Sequence, residues 1–124
     1  AAALEPITSG IGRALVAIPN TKAASFTTRD ENRAWWLNRY DADTRSVRPL
    51  VQTPEGQGEP YASWTRDGRV YTASGTRIFS WKEGETGWAL VGDLAAAPVA
   101  NISRLAVSPD GRWLAFVADP APAQ

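Results

Sequence analysis

The sequence predicts an all-β fold built from repeated units of four antiparallel strands, and three observations predict it. First, an Asp-Gly-Arg turn between two apolar runs occurs twice. ASWTRDGRVYTAS (Ala62 to Ser74) matches LAVSPDGRWLAFV (Leu105 to Val117), setting Asp67 and Asp110 43 residues apart. Second, separate segments repeat at nearly the same interval. VRPLV (Val47 to Val51) follows LEPIT (Leu4 to Thr8) with the prolines 43 apart, and RIFSWKEGET (Arg77 to Thr86) follows WWLNRYDADT (Trp35 to Thr44) with Trp81 41 residues after Tyr40. Third, each interval holds four runs rich in Val, Ile, Tyr, Phe and Trp, and none shows the 3.6-residue periodicity of a helix. Four strands per repeat is the pattern of a β-propeller blade, about 40–45 residues long.

The elements follow in order. Residues 1–10 hold Leu4–Thr8, expected as the outer strand of a preceding blade. Residues 11–53 form a blade from Ala14–Ile18, Ala23–Thr28, Ala34–Tyr40 and Ser46–Val51. Its first turn, Pro19-Asn20-Thr21-Lys22, is a degenerate copy of the Asp-Gly turn, Asn20 preceding Asp67 by 47 residues. Residues 54–97 form a second blade from Pro60–Thr65, Arg69–Ser74, Arg77–Lys82 and Trp88–Leu94. Asp-Gly supplies the positive φ that a tight hairpin needs. Ala95-Ala96-Ala97 is too short, and too close to Pro98, to nucleate a helix. Residues 98–119 form the inner hairpin of a last blade, and 120–124 are a tail.

SRLAVSPDGRWLAFVAD (Ser103 to Asp119) resembles the repeat of TolB-type and related WD-like β-propellers: a strand, then Ser-Pro-Asp-Gly-Lys/Arg, then an apolar strand. The likeness covers about residues 4 to 119. It implies the C-terminal portion of a six- or seven-bladed ring. The expected count of two complete and two partial blades falls short of the usual ring of about four to eight. The last blade is then completed by strands from upstream or from further copies of the chain. The resemblance also implies a non-catalytic scaffold for protein–protein interaction, in the periplasm or otherwise exported. The alternatives are a propeller whose hydrolase or peptidase part lies outside this chain, or a fragment that assembles with itself into a ring.

Composition narrows the chemistry. Lys+Arg and Asp+Glu both number 13, so the net charge is zero and the basic excess of a nucleic-acid partner is missing. No apolar run reaches the ~18 residues of a membrane-spanning helix. Cys and His are both absent, which removes thiolate and imidazole nucleophile systems and the usual transition-metal ligands. We therefore expect no catalytic residue, no metal and no cofactor. Asp67 and Asp110 read as turn residues that bond their own backbone. Asp41-Ala-Asp43-Thr44 lacks the Gly and distal Glu of a calcium loop and sits where a hairpin turn belongs.

Of the six Trp, Trp64, Trp81 and Trp113 are expected to pack between blades. Trp35 and Trp36 should face opposite sides of their strand, and Trp88 should be partly exposed. The loops 10–13, 28–33, 52–61, 74–76 and 95–104 should gather at one end of the ring. Arg13, Glu59, Tyr61 and Arg104 flank the innermost strands there and are the expected partner-binding residues.

Overall fold

Strand pairs form where the β-branched and aromatic runs meet turn residues, and the computed structural model describes residues 11–12, 14–55 and 59–121. Strands β1 (Val16–Ile18), β2 (Ala23–Arg29), β3 (Trp35–Asp41) and β4 (Ser46–Gln52) form one four-stranded sheet. A second four-stranded sheet contains β5 (Ser63–Trp64), β6 (Arg69–Ser74), β7 (Arg77–Lys82) and β8 (Ala89–Asp93). Strands β9 (Val99–Val107) and β10 (Leu114–Pro120) pair as a hairpin. All pairings are antiparallel between sequence neighbours, and the described strands do not close into a ring. Among the described residues no helix is long and apolar enough to cross a membrane. The strand expected at Leu4–Thr8 lies outside the described residues.

The two Asp-Gly turns share their chemistry. Gly68 (φ 89°) and Gly111 (φ 74°) take the left-handed conformation that closes each turn. The Thr65 hydroxyl donates to the Asp67 carboxylate and accepts from the Arg69 N–H at 3.1 Å. The Ser108 hydroxyl donates to Asp110 at 2.7 Å and accepts from the Trp113 N–H at 3.0 Å. These hydroxyl bonds hold both carboxyls below the usual carboxylate range, with the Arg112 N–H adding to the effect at Asp110.

The turns differ by one residue, which corrects one expectation. Trp64 pairs with Val70, whereas Val107 pairs with Leu114, so Leu114 and not Trp113 takes the place of Val70. Trp113 is the extra residue before β10. It lies 73% exposed instead of packed between sheets, because a one-residue slip moves a side chain to the opposite face.

Each sheet presents two faces. The first sheet turns Ile18, Ala23 and Leu37 toward Ala62, Trp64, Val70 and Trp81 of the second, and together they form the core. Leu37 and Val70 are fully buried, and a side chain of this size contributes ~1.5–3 kcal/mol when removed from water. The Trp64 indole donates across this junction to Ser25 Oγ at 2.7 Å. Trp88 caps the cluster, its ring 6.3 Å from Trp81 and its N–H on the Gln52 carbonyl at 2.8 Å.

The second junction sets β9 against β5 and β6. The Val107 N–H donates to Ser63 Oγ at 3.0 Å, and the Arg66 N–H to the Pro109 carbonyl at 2.8 Å. Asn20 Nδ2 donates in turn to the Arg66 carbonyl at 3.3 Å, so the three inner turns are linked in series.

Candidate functional site

The loops opposite those inner turns surround a groove of about 770 Å³. Its walls come from the β2–β3 loop, the chain between β4 and β5, the β6–β7 turn and the start of β9. The loops 28–33, 52–61, 74–76 and 95–104 all contribute residues to it.

Local hydrogen bonds fix each wall. Asp30 accepts from the Asn32 and Ala34 N–H groups at 2.8 and 2.9 Å and from the Trp36 indole at 2.9 Å. The Ala34 N–H and the Trp36 indole hold this carboxyl below its usual range. This Asx-type loop leaves Arg33 at φ 66° on the groove wall. Thr53 closes the end of β4 with two bonds to the Trp35 carbonyl, from its N–H at 2.9 Å and its hydroxyl at 3.1 Å. The Thr72 hydroxyl donates to the Tyr61 carbonyl at 2.6 Å, and the Ser74 hydroxyl to the Glu55 carbonyl. The Ile102 N–H donates to the Gly75 carbonyl at 2.9 Å, tying β9 to the far wall. Asn101 sits beside it at φ 52°, where β9 is bulged against β10. Two strained non-glycine residues therefore face one groove, each held by its surroundings at a cost of order 1–3 kcal/mol.

Of the expected contact residues, Glu59 and Tyr61 line the groove. The Arg104 guanidinium lies over the Tyr61 ring, 5.6 Å from its centroid. Glu59 packs against Gly12, where a Cβ would collide with the Glu59 carboxylate and the Thr27 hydroxyl. Arg13 lies outside the described residues. A second cation–ring pair sits at the β2–β3 end, with Arg29 5.2 Å from the Trp35 ring centroid. Trp35 lines the groove and Trp36 lies on the opposite face of β3; both are half-buried.

Sequence reasoning placed the loops here but missed Trp35, Asn101 and Ile102. Trp35 carried a signal, because adjacent strand residues face opposite ways and one of the Trp35-Trp36 pair must turn outward. Asn101 carried none, since its backbone conformation comes from a bulge set by pairing with β10. Chemically the site mixes guanidinium, carboxylate, amide and aromatic groups around an open floor. Among the described residues no three Asp or Glu carboxylates converge with metal-holding spacing.

No protein-family model matches this chain, and no curated protein matches it.

Proposed function

We propose that the chain is part of a β-propeller of the TolB-like kind, a non-catalytic scaffold in an exported compartment that binds a protein partner through the groove. The single observation that carries this reading is the convergence of Glu59, Tyr61 and Arg104 at one end of the sheets, with Arg104 stacked on Tyr61. Aromatic and Arg side chains supply a large share of binding energy at protein interfaces. The absence of Cys and His agrees with a binding role more readily than with nucleophilic catalysis. The test is selection of a displayed peptide library against the chain, followed by NMR mapping of an enriched peptide. The expected result is amide shifts at Arg33, Glu59, Tyr61 and Asn101, with roughly tenfold weaker binding in Tyr61→Ala or Arg104→Ala. Shifts confined to the inner turns around Asp67 and Asp110, or binding unchanged in both variants, would overturn the assignment.

A further inference from the structure

We propose that the partner enters the groove with a carboxylate seated on the wall formed by Asn32, Arg33 and Trp35. This rests on the reading of the groove as a peptide-binding site and names the chemistry that the site selects.

The wall presents donors that the chain leaves unused. The indole N–H groups of Trp36, Trp64, Trp81 and Trp88 each have an acceptor: the Asp30 carboxylate, Ser25 Oγ, the Glu85 carbonyl and the Gln52 carbonyl. Among the described residues the indoles of Trp35 and Trp113 have none, and of the two only Trp35 lines the groove. Its nitrogen is not sealed from solvent, so a molecule in the groove can reach it. Two positions earlier, Arg33 is exposed and makes no ion pair among the described residues, although Glu55 and Glu59 line the same groove. The exposed side-chain amide of Asn32 is also unbonded among the described residues.

The chain's own carboxylates do not fill this seat. Asp30 is spent inside the loop, where it accepts from two backbone N–H groups and the Trp36 indole. Glu31 is exposed and does not line the groove. Glu55 and Glu59 come from the segment between β4 and β5 and repel an anion from their own side.

The seat is built before a ligand arrives. The Arg33 N–H donates to the Asp30 carbonyl at 3.0 Å, and the Asp30 N–H to the Ala34 carbonyl at 2.8 Å. Thr53 holds the Trp35 carbonyl, and the Arg29 guanidinium lies 5.2 Å from the Trp35 ring centroid. Little ordering of this wall is left for binding to supply. A carboxylate is the matching acceptor. It brings no donor of its own, and its two oxygens can accept from the guanidinium and from an indole N–H. A neutral peptide carbonyl would satisfy the indole and leave the guanidinium charge unanswered.

The probe is the tightest groove-binding peptide from the library selection. It is synthesised with a free and with an amidated C-terminus, and with each Asp or Glu changed in turn to Asn or Gln. Calorimetry measures each form against the wild type, Arg33→Gln and Trp35→Phe, with circular dichroism checking that both variants are folded. Trp35→Phe keeps an aromatic ring beside Arg29 and removes the N–H. Neutralising one carboxylate of the peptide is expected to weaken binding to the wild type about tenfold or more, and to change little in Arg33→Gln, where that bond is already lost. Loss on amidation identifies a terminal carboxylate, and loss on an Asn or Gln change identifies a side chain. Trp35→Phe should bind the parent peptide roughly fivefold to tenfold more weakly. The Trp35 indole N–H resonance, identified by its loss in that variant, should move downfield when the parent peptide binds. A groove-bound peptide indifferent to the loss of every carboxylate would overturn the carboxylate seat and leave the groove reading standing. So would equal binding to Arg33→Gln and the wild type, or an unmoved Trp35 indole resonance. Peptides that bind only away from the groove would overturn the groove reading, and this proposal with it.

Discussion

The Trp64 indole N–H donates to Ser25 Oγ at 2.7 Å, and both side chains are buried at the junction of the two four-stranded sheets. Ser25 is fully enclosed, so its removal leaves the indole N–H without an acceptor in a place water does not reach. Ser25→Ala should therefore lower stability by about 1–3 kcal/mol in urea unfolding. Trp64→Phe removes the donor along with part of the packing, and Ser25→Ala in that background should cost little more. Equal costs of Ser25→Ala with and without the indole would show that the bond contributes nothing.

Gly68 in an inner turn and Gly87 in the β7–β8 loop give predictions of opposite sign. Gly68 has φ 89°, where a Cβ meets its own backbone, so Gly68→Ala should cost ~1–2 kcal/mol. Gly87 is exposed, has no positive φ and has open space where a Cβ would sit. Gly87→Ala should instead stabilise by about 0.4–1 kcal/mol through the unfolded state. Thermal unfolding of the two variants beside the wild type reads both signs.

Acid should unfold the protein through its surface carboxylates. The Ala34 N–H and Trp36 indole lower the Asp30 pKa, Arg69 and the Lys82 N–H lower that of Glu85, and Arg48 lowers that of Glu83. A group whose folded pKa is depressed contributes stability that is fully present above its unfolded pKa and is lost as pH falls through the folded value. The urea midpoint should be flat near neutrality and fall as pH drops through and below the ordinary carboxylate range. Asp30→Asn with Glu85→Gln should flatten that fall and lower the neutral midpoint. An unchanged acid slope in the double variant would count against these bonds.

Strand order was legible because the turn residues and the pattern of apolar runs agree along the chain. β6 and β7 run from Arg69 to Ser74 and from Arg77 to Lys82, as the sequence indicates, since Asp67-Gly68 and Gly75-Thr76 fix both boundaries. β5 is only two residues long where six were expected, because Pro60 has no N–H to pair and Tyr61 is drawn to Thr72. The place of Trp113 was not legible. Both turns read Asp-Gly-Arg, and only the pairing partners of Val70 and Leu114 reveal the added residue. The groove follows from the loops, but its strained positions do not, since Asn101 owes its φ to a bulge against a partner strand.

Thr27 separates local satisfaction from packing at the edge of the groove. It is fully buried on β2, and its Oγ1 is the buried side-chain atom without a hydrogen-bond partner among the described residues. It lies under Gly12, whose N–H donates to the Thr27 carbonyl at 2.6 Å, so the backbone bond does not depend on the hydroxyl. Thr27→Val keeps the shape and replaces the unpaired oxygen with a methyl group. The variant should gain about 1 kcal/mol or more, since an unmade buried hydrogen bond costs about 1–3. Gly12→Ala should act in the opposite sense, because the new Cβ meets both Thr27 and the Glu59 carboxylate, and overpacking of this kind costs typically ~1–3 kcal/mol. Urea unfolding of both variants is the measurement. A Thr27→Val variant less stable than the wild type by the cost of a broken buried bond would show that the hydroxyl is satisfied in solution. Peptide binding then ties the result to the site: Gly12→Ala should weaken it by moving Glu59, while Thr27→Val should leave it unchanged.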